Sequence, residues 1–229
     1  TDANGASINV EETVAGAATS LSLRAGTIIG GAGGTTSSVN NQAVDIDVDT
    51  VAANAATGIY LREVAAGGAI TVDTASAVTV NINGVVRADF DSSTTSVAET
   101  RTIASLEDVT STSNGPIKLV AEAGTITING GADAAGISAN GTGDVLLEAC
   151  GTTSDVIVNA TLTSGSGHIT LDADRNVDVN AALTVSSGSG TIYVLSGADT
   201  DVDAQISSAS GDILVEAGDD VRQTALIRS

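Results

Sequence analysis

Aromatic side chains are nearly absent from this 229-residue chain: Tyr60, Tyr193 and Phe90 are all it has, with no tryptophan and no methionine. Aromatic rings usually dominate core energetics, so a conventional globular core is excluded and the interior falls to Val, Ile, Leu and Ala. Such a core suits a narrow, uniform cross-section. Basic residues are scarce too. Eight Lys and Arg stand against 28 Asp and Glu, a net charge of −20. Phosphate backbones are bound by Lys and Arg displacing counterions, so nucleic acid is excluded as a partner and an anionic membrane surface is disfavoured. No apolar run approaches the ~18 residues of a membrane span, so no bilayer insertion is expected. With 42% apolar and 16% charged residues the chain is too apolar for a disordered one. The single cysteine, Cys150, has no internal partner. Burial as a small hydrophobe is expected, with pairing between chains as the alternative. The opening Thr1-Asp2-Ala3-Asn4-Gly5 has neither Met nor a basic-then-apolar leader, which reads as a processed chain or a section of a longer one.

What the chain does have is a repeat. Gly115-Pro116-Ile117-Lys118-Leu119-Val120-Ala121 returns as Gly143-Asp144-Val145-Leu146-Leu147-Glu148-Ala149 and as Gly167-His168-Ile169-Thr170-Leu171-Asp172-Ala173. It returns again from Gly190 to Ser196 and from Gly211 to Ala217. The starts lie 28, 24, 23 and 21 residues apart. Weaker copies are read at Thr19–Ala25, Ala43–Val48 and Gly68–Thr74. Gly68 to Gly115 is 47 residues, close to two periods, with a skipped turn placed in 91–114. A second strand follows in each period: Val156-Ile157-Val158-Asn159-Ala160-Thr161-Leu162 matches Val177-Asp178-Val179-Asn180-Ala181-Ala182-Leu183, and Val202–Ile206 continues it. Val80–Val86 and Ile8–Val14 are looser relatives.

Each unit alternates apolar and polar residues with period two, the signature of a half-buried strand. Short strands repeating every 21–28 residues, with no helical periodicity, read as stacked coils that jointly bury one core. The expected fold is all-β: a right-handed parallel β-helix of about ten coils at ~4.8 Å spacing. It forms one unit over 1–229, with irregular coils in 1–114 and regular coils in 115–229. Loop insertions are expected near 30–41 and 91–114, within them the Gly/Ser/Thr stretch 30–38 and the Ser/Thr stretch 92–100. A β-sandwich pair is the alternative for 1–114. Ile117, Val145, Ile169, Ile192 and Ile213 form one inward column and Leu119, Leu147, Leu171, Val194 and Val215 the next. Ala121, Ala149, Ala173, Ser196 and Ala217 mark the bend. The leading glycine marks a corner that needs positive φ or close backbone approach.

These units resemble the filamentous-haemagglutinin type of repeat, well over 115–229 and patchily over 1–114. The family comprises very large secreted bacterial exoproteins and adhesins, and the resemblance implies a β-helical shaft, secreted or displayed at the cell surface. Family members begin with a secretion domain bearing an Asn-Pro motif. The only proline here is Pro116, so the resemblance covers a shaft segment or a β-solenoid of another lineage. The expected role is a structural, adhesive, non-catalytic rod. Its partners are further coils of its own chain, second copies stacked end to end as a filament, or a host or neighbouring-cell surface.

Three acidic runs are candidate Ca²⁺ ligands: Asp45, Asp47 and Asp49; Asp172 and Asp174, continuing through Asn176 to Asp178; and Asp199, Asp201 and Asp203. All three fail the EF-hand pattern, having Thr50, Val177 or Ala204 where it needs glycine. Gly30-Gly31-Ala32-Gly33-Gly34 lacks the Asp of a repeat-toxin calcium motif. Alternation places these carboxylates on the wet outer face, so no cofactor is required and Ca²⁺ stays a candidate. Glu148 and Asp172 stack on adjacent turns, and two such charges ~4.8 Å apart in water repel by roughly 0.9 kcal/mol. Divalent cations or salt are expected to relieve this. The alternative function is a β-helix enzyme acting on polysaccharides, through His168, Asp172, Asp174 and Arg175, or a glycan-binding module using Tyr60 and Tyr193, which alternation turns outward. Phe90 plugs the interior or caps a turn. Asn159 over Asn180 reads as a structural amide ladder.

Overall fold

The computed structural model describes residues 9–11, 19–31, 42–65 and 68–229. The expected insertion near 30–41 and the copies at Thr19–Ala25 and Ile8–Val14 are covered only in so far as they fall in these ranges. All described secondary structure is β. The first strands are β1 (Val10–Glu11), β2 (Ser20–Arg24), β3 (Ile28–Ile29), β4 (Val44–Asp47) and β5 (Thr50–Ala55). Then come β6 (Gly58–Glu63), β7 (Ile70–Val72), β8 (Val78–Ala88), β9 (Thr94–Ile103) and β10 (Val109–Ser111). From there the chain repeats three strands per pass. These are β11 (Ile117–Ala121), β12 (Ile126–Ile128), β13 (Ala135–Ala139); β14 (Val145–Ala149), β15 (Val156–Val158), β16 (Thr161–Ser164); and β17 (Ile169–Ala173), β18 (Val177–Val179), β19 (Leu183–Val185). The last passes are β20 (Ile192–Ser196), β21 (Thr200–Val202), β22 (Ile206–Ser208) and β23 (Ile213–Ala217), β24 (Val221–Gln223), β25 (Ile227–Arg228).

Strands of successive passes pair side by side and parallel. One sheet runs β1-β4-β6-β11-β14-β17-β20-β23, with β3 also on β6. The other carries the remaining parallel strands and turns at β5: Thr50 and Val51 pair with β7, while Ala53 to Ala55 pair with β10. Two further walls grow from that turn, one through β12, β15, β18, β21 and β24, the other through β13, β16, β19, β22 and β25. The arrangement is solenoid-like, with walls curled around one apolar interior.

The three expected columns are in register. Ile117, Val145, Ile169, Ile192 and Ile213 lie side by side, as do the Leu119 and Ala121 sets. All but the members in β23 are buried. The largest fully buried side chains are all Ile or Leu, each contributing about 1.5–3 kcal/mol by leaving water. The leading glycines answer the corner question: none has positive φ. A Cβ on Gly167 would stand 2.3 Å from the Gly143 carbonyl oxygen, and one on Gly190 2.1 Å from that of Gly167. Backbone passes over backbone there, and no side chain fits.

The expected positions in the N-terminal half need correcting. Thr19–Ala25 and Gly68–Thr74 do not supply the first wall. β2 pairs with β5, and Ile70 stacks on Ile126, so both belong to the other sheet. The first wall uses β6, in which Ile59 and Leu61 pair with Ile117 and Leu119. Its glycine, Gly58, adjoins Ile59 instead of preceding it by two, which hid the copy. The segment Val156–Leu162 and its relatives are two strands, not one, bent at Asn159-Ala160 and Asn180-Ala181. No turn is skipped in 91–114, and Val80–Val86 is not a wall strand. β8 and β9 form an antiparallel hairpin with a turn at 89–93, inserted between β7 and β10. Ile59 to Ile117 spans 117 − 59 = 58 residues; removing the 26 of Val78–Ile103 leaves 32, one long pass. β5, β6, β7 and β10 join the parallel walls, so a β-sandwich over 1–114 does not form in the described residues.

Candidate functional site: the outer acidic wall

The outward residues of the first sheet form two columns. One holds Tyr60, Lys118, Leu146, Thr170, Tyr193 and Leu214. The other holds Asp45, Arg62, Val120, Glu148, Asp172, Leu195 and Glu216. Glu148 and Asp172 are thus neighbours, as alternation implies. Burial, and then the negative charge of Asp172, raise the Glu148 carboxyl above the usual carboxylate range. Burial, and then Asp174, raise that of Asp172.

The first acidic run is not a uniformly wet face. Asp45 is only 3% exposed, which overturns the solvent-facing assignment for that residue. Its partner in the next pass is Arg62, itself buried, whose Nε and Nη2 donate to the two Asp45 carboxylate oxygens at 2.7 and 2.6 Å. Arg62 also lies 3.2 Å from Glu122. Asp47 is half-buried. Asp49 is exposed and accepts the Thr19 backbone N–H at 2.9 Å.

The other two runs are divided between walls and corners. At corners the strand ladder is interrupted, and the freed N–H groups need acceptors. Side chains one pass away provide them. Asp155 accepts from the Asn176 N–H at 3.1 Å, Asn176 from Asp199 at 3.1 Å, and Asp199 from Asp220 at 3.2 Å. Asp174 accepts from the Gly151 N–H at 2.6 Å. Asp178 and Asp201 pair on the second wall, with Arg222 next in that column. Asp178 is raised by burial and by Asp201, while Asp201 binds Arg222 at 2.6 Å. Asp203 accepts from the Thr224 hydroxyl at 2.7 Å. Among the described residues no three His, Cys, Asp or Glu side chains converge as a metal site.

His168, Asp172, Asp174 and Arg175 do not assemble into one constellation. Four residues of extended strand separate His168 from Asp172, roughly 13 Å. Arg175 forms a two-point pair with Asp155. The His168 Nδ1 accepts the Thr191 backbone N–H at 3.1 Å, while the His168 N–H donates to Asp144 at 2.8 Å. From Asp144 through His168 to Thr191, the position after the leading glycine is therefore a second N–H-capping ladder. The sequence signal was there, in Asp144 and His168 as acceptors at one repeat position, but it reads as variation until the passes are stacked.

The amide ladder is longer than Asn159 over Asn180. Asn180 donates to Asn159 at 3.0 Å, Asn159 to Asn129 at 3.2 Å, and Asn129 to Asp73 at 3.2 Å. Tyr60 departs from its expected exposure. It points outward but is 6% exposed, its ring against Gly58, so it offers no open platform. It borders a cleft of about 310 Å³ with Pro116, Lys118, Asp144 and Leu146. Tyr193 is half-buried and donates to Glu216 at 2.7 Å. Phe90 neither plugs the interior nor is packed; it stands fully exposed at the hairpin tip. Cys150 is half-buried, and burial with the charge of Glu148 pushes its thiol up to about 11. Such a thiol is protonated and a poor nucleophile at neutral pH.

One further acidic group was not foreseen. Asp108 adopts φ 66° where the hairpin returns to the wall, and one of its carboxylate oxygens is buried without a hydrogen bond. Burial, then Asp133, Glu107 and Asp73, push its carboxyl up to about 7.

Comparison with family models, with curated proteins and with solved structures returned no match.

Proposed function

We propose that this chain is a section of a stiff acidic shaft, a right-handed parallel β-helix of about ten coils, from a secreted fibrous or adhesive surface protein of the kind its repeats resemble. The role is mechanical and presentational, not catalytic. One observation carries the reading: the polar residues on the walls and corners are engaged pass to pass, in the Asn129–Asn180 ladder, the Asp155–Asp220 ladder and the Arg62–Asp45 pair. Side chains that would gather around a substrate in an enzyme instead fasten each coil to the next. Along the axis the shaft continues through further coils or through second copies stacked end to end.

The test joins electron microscopy to an activity screen. Rods of uniform width, without turnover of pectin-like or neutral glycans, are expected. Turnover abolished by Asp172→Asn would overturn the reading in favour of a polysaccharide-active enzyme.

A further inference from the structure

The hairpin β8–β9 belongs to no wall, and its two faces differ. Its pairing puts Val78, Val80, Ile82, Val85, Val97 and Ile103 on one side, with Arg101 and Glu99 among them, because Val78 faces Ile103, Val80 faces Arg101, Ile82 faces Glu99 and Val85 faces Val97. The opposite side is polar apart from the exposed Val86 and small alanines: the Thr79 and Thr102 hydroxyls lie 3.2 Å apart, and the Thr100 hydroxyl donates to Asn81 at 2.9 Å. Of the six apolar residues only Ile82 and Val97 are even half-covered. A two-stranded hairpin in water is marginal by itself and gains stability from a third strand or a packing partner.

Its two edges are unequal. β8 is broken by a bulge between Ile82 and Val85, where Gly84 has φ 77°, and a bulge blocks the addition of another strand. β9 is continuous over ten residues. When a strand pairs antiparallel with its own copy, the positions of facing residues add to a constant, and a two-fold axis relates the chains. For β9 the sum 200 gives a self-complementary register. Thr100 faces Thr100, Glu99 faces Arg101, and Val97 faces Ile103, each pair occurring twice. Opposite charges and paired aliphatics directly across strands are stabilising. Within one chain Glu99 and Arg101 are only loosely joined, at 3.9 Å with both side chains well exposed, so each is available to the copy. The segment Val78–Ile103 carries two arginines against three carboxylates, a net charge of −1, and the remaining residues carry −19. Joining at the hairpin therefore avoids apposing the most negative surfaces.

We infer that β9 is a homodimerisation edge: two copies of this chain join β9 to β9 antiparallel about Thr100, forming a four-stranded sheet whose seam carries Glu99–Arg101 pairs at its centre and Val97–Ile103 pairs outside them. The contact is lateral and separate from any axial stacking of the shaft.

Sedimentation equilibrium of the 229-residue chain tests it. A reversible dimer is expected. Glu99→Arg alone, or Arg101→Glu alone, places like charges opposite each other and weakens the dimer by about tenfold or more. The double substitution Glu99→Arg with Arg101→Glu restores it, and so does mixing the two single variants, since each then faces the opposite charge. Circular dichroism and thermal melting of the walls should be the same in all variants. The inference is overturned if the chain is monomeric at every concentration, or if the single variants dimerise like the parent. It is equally overturned if neither the double variant nor the mixture recovers, or if a chain with Val78–Ile103 replaced by a short Gly-Ser link still dimerises. That last result would assign association to the shaft.

Discussion

Arg62 grips both carboxylate oxygens of Asp45 across adjacent passes, at 2.7 and 2.6 Å, in a place almost closed to solvent. Removing one partner of a buried pair leaves the other charge uncompensated, which costs about 3–5 kcal/mol. Arg62→Leu should therefore destabilise the chain by that order in denaturant unfolding. The combination with Asp45→Leu should recover part of the loss, because two apolar groups replace two charges. A double-mutant cycle checks both.

Glycine stacking makes a sharper stability prediction. Gly167→Ala drives a methyl group into the Gly143 carbonyl, which cannot move without separating two passes. A loss of about 3 kcal/mol is expected, the top of the usual range for overpacking. Gly26 is the control. A Cβ there meets nothing within 4 Å, and Gly26→Ala should change stability by less than about 0.5 kcal/mol. Parallel thermal melts of the two variants are sufficient.

Stability should fall as pH rises from mildly acidic to neutral. The carboxyls of Asp108, Glu148, Asp172 and Asp178 are all raised in the fold, that of Asp108 to about 7 from an ordinary 3.8. A raised folded-state value means that the folded chain holds more protons than the unfolded one. The stabilisation is complete below the unfolded value and disappears as pH climbs through the folded value. For Asp108 the window runs from about pH 4 to about pH 7. Melting temperature measured across that window should decline with pH. Asp108→Asn, which cannot ionise, should flatten the part nearest neutrality.

Salt and calcium should act differently on the outer wall. The Glu148–Asp172 contact is a partly solvated like-charge pair, so raising NaCl should screen it and raise the melting temperature. Asp45, Asp49, Asp201 and Asp203 are each held by a protein donor. Exchanging EDTA for Ca²⁺ at constant ionic strength should therefore shift the melting temperature little. A large Ca²⁺-specific rise would show the runs rearranging around the ion.

The regular half was legible because its columns are written in closely similar residue types at identical offsets. Ile or Val, then Leu or Val, then Ala or Ser recur two residues apart from Ile117 to Ala217, and strand pairing follows that spacing without a slip. The N-terminal half was less legible for two reasons. Gly58 stands one position away from its place in the other copies, and the hairpin adds 26 residues with their own alternation. Val78, Val80 and Ile82 alternate as well as any wall strand does, so periodicity had no means of separating them from the core.

The candidate site was legible only as a set of outward positions. Asp172 and Glu148 could be placed together because they occupy the same offset in successive repeats. The pairing of Asp45 with Arg62, the capping by Asp199 and the burial of Asp108 among other carboxylates depend on residues 17 to 35 positions away or on an unusual φ.

Composition and period by themselves determined that this is an all-β stack with an aliphatic interior and a negative coat. Both follow from alternation, a local property that burial of one face enforces. Only the tertiary structure decided which wall each strand joins, that Tyr60 and Asp45 are covered, and that β8–β9 leaves the walls altogether. Outward is a direction that the strand sets. Exposure depends on what the neighbouring passes lay over it.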